Sequence, residues 1–308
     1  MAKKYIIAID LGGTNLKVAL LDLNYRIIAR QSFSTRNFSK KDKLIGAIVN
    51  SVDKIQKARR LDKQNILGVG LGLPGSADTE RGIVYSLTNI PGWKDVRLGR
   101  ILKQKLRLSV FMDNDANLMC LAEYRLGRAR GLRYAVCLTL GTGVGAGIIA
   151  DGRLYRGANN AAAEVGHLPI NEDGPACNCG GKGCLETYIG NNRILAQAKK
   201  IFRRSISLEE TSRLAAEGDK RALAFWSRTG EHLGVALAGV VNLLNPEAVI
   251  IGGGVANAGK ALFDKVKKVI RERAMRVQAR QVKVFKARLG DAAGLIGAAI
   301  MVREALKK

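Results

Sequence analysis

The alternation of apolar and polar positions divides this chain into short strand-like runs and longer helical stretches. Compact apolar and β-branched runs predict strands at residues 4–10, 15–22, 26–33, 66–72, 110–112, 134–140, 146–150, 247–251 and 281–286. Leu44, Ile48, Val52 and Ile55 recur at helical spacing and predict a helix over residues 41–59. Further helices are expected at 118–128, 187–202, 208–216, 220–244, 260–273 and 292–305. Strands that alternate with helices in this way predict an α/β fold.

One device occurs twice. Residues 4–10 run into Asp10-Leu11-Gly12-Gly13-Thr14 and a returning strand, and residues 134–140 run into Gly141-Thr142-Gly143-Val144-Gly145 and another returning strand. Glycine turns of this kind bare consecutive backbone N–H groups that suit a phosphate. A lone Gly-Gly-Thr is an ordinary tight turn in most proteins, so the repetition is the signal. Asp10, at its strand end, is a candidate to hold a hydrated Mg²⁺. Ala146 stands where G-x-G-x-x-G needs its last glycine, which disfavours a dinucleotide fold. Residues 254–261 approach a Walker A loop, but Ala261 replaces the Ser or Thr that must reach Mg²⁺. The glycines around Gly253 and Gly254 instead suit close approach to the base and ribose of a nucleotide. The duplicated turn predicts two related α/β domains facing a cleft, an actin-like or hexokinase-like arrangement. Their expected boundaries are 1–117 with 292–308, and 118–291.

Polar residues gather at other strand ends. Gly75 closes Leu73-Pro74-Gly75, Asn89 heads the loop that ends at Trp93, and Asp113-Asn114-Asp115-Ala116-Asn117 marks a strand-to-helix junction. A helix N-cap would account for one acidic or amide group there but not for three. Between Glu164 and Glu186 lie His167, Cys177, Cys179 and Cys184 in a glycine-rich loop. Three thiols and an imidazole make a Cys₃His set that suits a tetrahedral structural zinc. Disulfide pairing would leave one of the three unpaired, and Cys120 and Cys137 lie in apolar surroundings typical of buried free thiols. A zinc-bound imidazole keeps a second ring nitrogen, so His167 could bind metal on one side and a ligand hydroxyl on the other.

Composition bounds the partners. A chain of 308 residues is long enough for two ordinary domains. Its 51 Lys and Arg against 26 Asp and Glu give a net charge of +25 and call for an anionic partner to be considered. The basic residues spread over 97–107, 125–133 and 265–288 at spacings that mostly suit solvated helix faces. Heat adaptation would raise both signs together and does not explain the imbalance. No helix-turn-helix, RNA-binding or basic-arm signature is present, so specific nucleic-acid binding is not expected. The apolar stretches 134–150 and 234–256 are interrupted by glycine turns and by Asn242, Asn245, Pro246 and Glu247, and neither reads as a membrane span. Without a secretory signal or a disulfide framework, a cytoplasmic location is expected.

Glu164-Val165-Gly166-His167 followed by C-x-C-G-G-K-G-C-L-E resembles the ROK family of repressors, open reading frames and sugar kinases, and the resemblance extends over nearly the whole chain. It implies a two-domain actin-like, hexokinase-like (ribonuclease H-like) fold with an interdomain cleft, and a hexose kinase that transfers phosphate from ATP with Mg²⁺. Glucose is the expected substrate and glucose 6-phosphate the expected product. N-acetylmannosamine, N-acetylglucosamine and other hexoses are the alternatives. The resemblance places the general base at Asp115 of Asn114-Asp115-Ala116. It implies that Gly75, Asn89, Asn114, Asp115, Glu164, His167 and Glu186 hold sugar hydroxyls. The nucleotide and its phosphates fall to Asp10, Gly12, Gly13, Thr14, Gly141, Thr142, Gly143, Gly253 and Gly254, and structural Zn²⁺ to His167, Cys177, Cys179 and Cys184. Polyphosphate is a further candidate partner, and a homodimer or homotetramer is expected. The family also includes sugar-sensing repressors, which carry a winged-helix domain before the first glycine turn. Here Asp10 lies almost at the amino terminus, which favours the kinase.

Overall fold

The computed structural model describes residues 4–35, 38, 40–75, 77–87 and 93–307. They form two compact units, one comprising Met1–Ala122, Arg156–Ala162 and Asp291–Lys308, the other Glu123–Tyr155 and Ala163–Gly290.

The first unit opens with β1 (Tyr5–Leu11), β2 (Asn15–Asp22) and β3 (Ile27–Ser34), followed by α1 (Lys41–Ala58) and β4 (Ile66–Leu73). A short hairpin, β5 (Ala77–Asp78) and β6 (Ile83–Val84), leads to α2 (Leu98–Leu106), β7 (Val110–Asn114) and α3 (Asp115–Leu126). The sheet order is β3-β2-β1-β4-β7. The first three strands form an antiparallel meander, and β4 and β7 run parallel to β1. Ile6 to Ile9 are all buried because both faces of β1 are covered, which explains an apolar run without alternation. On one face Ile7, Ile9 and Leu71 pack with Leu44, Ile48 and Val52 of α1 and with Leu102 of α2. On the other, Ile6 and Ala8 pack with Leu118 and with Leu295 and Ala298 from the last helix of the chain.

The second unit repeats this plan. Strands β8 (Ala135–Leu140), β9 (Val144–Ala150) and β10 (Arg153–Tyr155) precede α4 (Glu186–Ile189), α5 (Asn191–Phe202), α6 (Leu208–Ala216) and α7 (Lys220–Leu244). They are followed by β11 (Ala248–Gly252), α8 (Lys260–Arg273), α9 (Arg276–Gln281) and β12 (Lys283–Lys286). Helix α10 (Ala293–Ala305) then belongs to the first unit. The second sheet has the order β10-β9-β8-β11-β12, with antiparallel β8, β9 and β10 and parallel β11 and β12. Position for position this is the topology of the first sheet. The repeated strand and glycine turn therefore belongs to a repeated five-stranded sheet, and the fold is the two-domain α/β, actin-like one.

Helix α2 and the short strands β5, β6 and β10 form where the sequence pattern predicts no element, and three further differences have a local cause. The helix expected from residue 118 starts at Asp115, because Asn114 Oδ1 accepts the N–H groups of Ala116 at 2.9 Å and Asn117 at 3.3 Å and caps it there. The single helix expected over 187–202 is two, broken where Gly190 turns extended at ψ 142°. Helix α9 forms where the pattern predicts none and shortens the strand expected at 281–286.

Candidate active site

In the first unit, β1 and β2 meet at the Gly12-Gly13-Thr14 turn, closed by the Gly12 N–H on Asn15 O at 2.8 Å. Thr35 fastens it from the end of β3, its N–H donating to Thr14 O at 2.8 Å and its hydroxyl to Gly13 O at 2.9 Å. Asp10 stands at the base of the turn with 15% of its side chain exposed, 3.5 Å from Lys17 Nζ. Lys17 also bonds Asp291, which Arg30 holds at 2.6 Å. Burial pushes the Asp10 carboxyl pKa up, Lys17 opposes the shift and Asp291 adds to it. Helix α10 begins against this carboxyl. A Cβ on Gly294 would lie 2.8 Å from Asp10 Cγ, so the first turn of α10 leaves room for the carboxylate only as glycine.

The β7-to-α3 junction carries the acidic cluster. Asn114 caps α3, and its Nδ2 is 3.4 Å from Gly75 O, so two of the expected sugar-binding positions meet in this unit. Asp115, half-buried, accepts the Ala116 N–H at 2.8 Å on Oδ1. Two residues earlier Asp113 is 1% exposed and fully engaged. Its Oδ1 accepts from Asn114 N at 2.8 Å and Asn117 Nδ2 at 2.9 Å, and its Oδ2 from Arg156 Nε at 2.8 Å and Nη2 at 2.7 Å. A buried carboxylate is tolerable only with such partners. The Arg156–Asp113 pair thus fixes the strand end that presents Asn114 and Asp115. Sequence reasoning missed Arg156, which lies 43 residues from its partner with no motif to mark it. Asn89 lies outside the described residues.

In the second unit the zinc-type loop and the second glycine turn are one structure. Glu186, at the start of α4, accepts the Val144 N–H on Oε2 at 2.8 Å, and this oxygen sits against Gly143. Asn191 N–H donates to Gly141 O at 2.9 Å, so α5 fastens the other end of the turn. A Cβ on Gly166 would fall 2.2 Å from Val144 O, so the Glu164-Val165-Gly166-His167 segment reaches β9 only as glycine. Gly253 lies against Leu140, the residue before the turn, and Gly254 follows at the C-terminal end of β11. Asn191 Oδ1 is buried without a partner among the described residues, beside the second glycine turn. Sequence reasoning missed it too, although its place directly after Gly190 at a helix start was a usable signal.

Glu164 Oε2 lies 3.9 Å from His167 Nε2, while His167 Nδ1 lies 3.6 Å from Cys177 Sγ. The imidazole therefore turns one nitrogen to the thiols and the other to the carboxylate. Partial burial raises the Glu164 pKa, with His167 opposing and Glu186 adding to the shift. The donor atoms of His167, Cys177, Cys179 and Cys184 all lie within 4.8 Å of one another, and Cys179 Sγ is 3.6 Å from Cys184 Sγ. Zn–S bonds of about 2.3 Å in a tetrahedron set ligand atoms roughly 3.8 Å apart, so the cluster fits zinc. Backbone donation from Gly181, with Cys177 and Cys184, lowers the Cys179 thiol to about 7. Burial, with the neighbouring thiols, pushes Cys184 up to about 12. A cation must displace that proton, and its binding is therefore linked to pH. Cys120 and Cys137 are fully buried, apart from the cluster.

Two α/β units with matching sheets, each carrying a glycine turn, define the sugar kinase and actin-like class of proteins. The chain belongs to the ROK family, whose model matches residues 6–305. It is 34% identical to a glucokinase of Thermotoga maritima, over 99% of this chain and 99% of that protein. It is 33% identical to a xylose repressor of Caldicellulosiruptor bescii, over 96% of this chain and 77% of the repressor. Among solved structures it matches a ROK family glucokinase from Streptomyces griseus in complex with glucose and AMPPNP, with TM-score 0.86 and 31% identity over 97% of this chain and 99% of that one.

Proposed function

We propose that the protein is an ATP-dependent hexose kinase that converts glucose to glucose 6-phosphate. The observation that carries this reading is the bond from the Val144 N–H to Glu186 Oε2, which fastens a hydroxyl-binding carboxylate to a phosphate turn. Phosphoryl transfer to an alcohol needs these two functions in fixed relation, because catalysis rests on positioning and charge compensation. Asp115 takes the proton of the sugar hydroxyl as its oxygen bonds to the γ-phosphorus and the bond to the leaving ADP breaks. Gly75, Asn89, Asn114, Glu164, His167 and Glu186 orient the sugar. The turns at Gly12, Gly13 and Thr14 and at Gly141, Thr142 and Gly143 receive the phosphates, with Gly253 and Gly254 against the nucleoside. Mg²⁺, held through Asp10, would neutralise charge developing on the phosphate oxygens. Zn²⁺ on His167, Cys177, Cys179 and Cys184 would be structural, holding His167 and Glu186 in place. Five cysteines with no disulfide among the described residues suit a reducing, cytoplasmic setting.

The test measures turnover with MgATP against a panel of hexoses and N-acetylhexosamines. Glucose should give the highest kcat/KM. Asp115→Asn should keep sugar affinity but lower kcat by at least ~10², because the amide cannot accept the proton. A variant that keeps more than about a tenth of wild-type turnover would remove Asp115 as the base. Similarity to the xylose repressor supports a second reading as a sugar sensor. Tight sugar binding with no turnover of any member of the panel would favour it.

A further inference from the structure

A cavity of about 350 Å³ opens on the second unit between the C-terminal half of α8, helix α9 and the edge strand β12. Four cations line it, Lys267, Arg271, Arg280 and Lys283, and no acidic side chain does. Neighbouring lysines of α8 are paired, Lys265 with Glu231 and Lys268 with Glu272, whereas these four make no ion pair among the described residues. Ile270, Val282, Val284 and Phe285 add apolar lining. This is also not the nucleotide end of the sheet. Strands β11 and β12 are parallel, with Lys283 beside Ala248, so the cavity faces the beginning of β11 while Gly253 and Gly254 follow its end.

Four like charges around one small cavity repel one another, and an anion seated among them would relieve the repulsion. The cations supply charge-assisted hydrogen bonds. The apolar lining gives nothing to a bare inorganic anion but covers the body of an organic one. A volume near the lower end of the roughly 300–1,000 Å³ of ligand pockets suits a compact molecule rather than a chain segment. We propose that the groove between α8, α9 and β12 is a second ligand site, separate from the phosphoryl-transfer residues, for a small amphiphilic anion bearing a phosphate on an apolar ring.

The probe is 1-naphthyl phosphate, titrated calorimetrically into the full chain saturated with glucose and AMPPNP so that the proposed active site is filled. Wild type should bind one equivalent at least about tenfold more tightly than inorganic phosphate or 1-naphthol, a difference of about 1.4 kcal/mol. The double change Arg271→Gln with Arg280→Gln should weaken the probe at least about tenfold by removing two charges. Ala279→Phe should weaken it similarly by filling the groove at constant charge. Both variants should retain wild-type sugar phosphorylation. Displacement of the probe by added AMPPNP, equal affinity for inorganic phosphate, or unchanged binding in either variant would overturn the proposal.

Discussion

Asp10 is held 3.5 Å from Lys17 with 15% of its side chain exposed, yet burial still raises its pKa from the ordinary 3.8. A carboxyl whose pKa is higher in the folded than in the unfolded chain binds more protons when folded. Ionising it costs stability as pH rises above the unfolded value, and the cost is complete above the folded one. The residue proposed to hold the metal thus ionises against the preference of its surroundings, a pattern common at functional sites. Asp10→Asn, neutral throughout, should be more stable than wild type at about pH 7, with the advantage shrinking as pH falls towards 3.8. The same change should abolish most turnover. Urea midpoints of both proteins across this range are the check. A variant less stable at neutral pH would mean that the Lys17 attraction outweighs desolvation. Glu186 shows a different coupling, because one oxygen serves the backbone at Val144. Its replacement by Ala leaves that N–H without its partner, so the expected outcome is weaker binding of both sugar and nucleotide. A loss confined to the sugar would deny the link.

At the scale of elements, local chemistry was legible and long-range chemistry was not. Helices α6, α7 and α8 have the bounds their periodicity predicts, because their ends are marked in sequence. Ser207 accepts the Glu210 N–H, Asp219 accepts from Arg221 and Ala222, and Gly259 precedes α8. The junction at Asp113–Asn117 was visible as a cluster, but its division of labour was not. Asn114 is the cap, and Asp113 is spent on Arg156 across 43 residues. Likewise the bond from Val144 to Glu186 spans 42 residues, and no spacing rule reaches that far. The thiol cluster was readable because its ligands are close in sequence, and the loop brings their donors within 4.8 Å. Bridges Pro169 to Cys184 and Ala176 to Lys182 are the little regular pairing in this loop. A metal held by these four side chains would add to the rigidity that the loop's backbone bonds give it. Cys184→Ala or Cys179→Ser should lose zinc and sugar affinity together, through displaced His167 and Glu186. Metal analysis alongside sugar titration decides it, and a zinc-free variant with unchanged sugar affinity would sever the two.

Across the whole molecule the excess of 25 positive charges exceeds what one nucleotide needs. Carboxylates pair with only some of the cations, and among the described residues the charge is distributed over both units, on α2, α5, α8 and α9. Charge spread in this way raises affinity for any polyanion by counterion release, with steep salt dependence. Donation is a narrower requirement, since a phosphoryl donor must place its terminal group at the glycine turns. Inorganic polyphosphate is therefore expected to bind strongly at low salt and to lose affinity by orders of magnitude between roughly 50 and 200 mM salt. Turnover with ATP should change little over the same interval, because the turns and Asp10 engage one compact ligand. With polyphosphate in place of ATP, sugar phosphate should form at no more than a few per cent of the ATP rate, about the residue left by misplacing a reacting group. Polyphosphate-driven turnover that matches ATP at low salt and collapses as salt is added would reverse this expectation. It would show that the cations converge on the donor turns and that the charge serves catalysis.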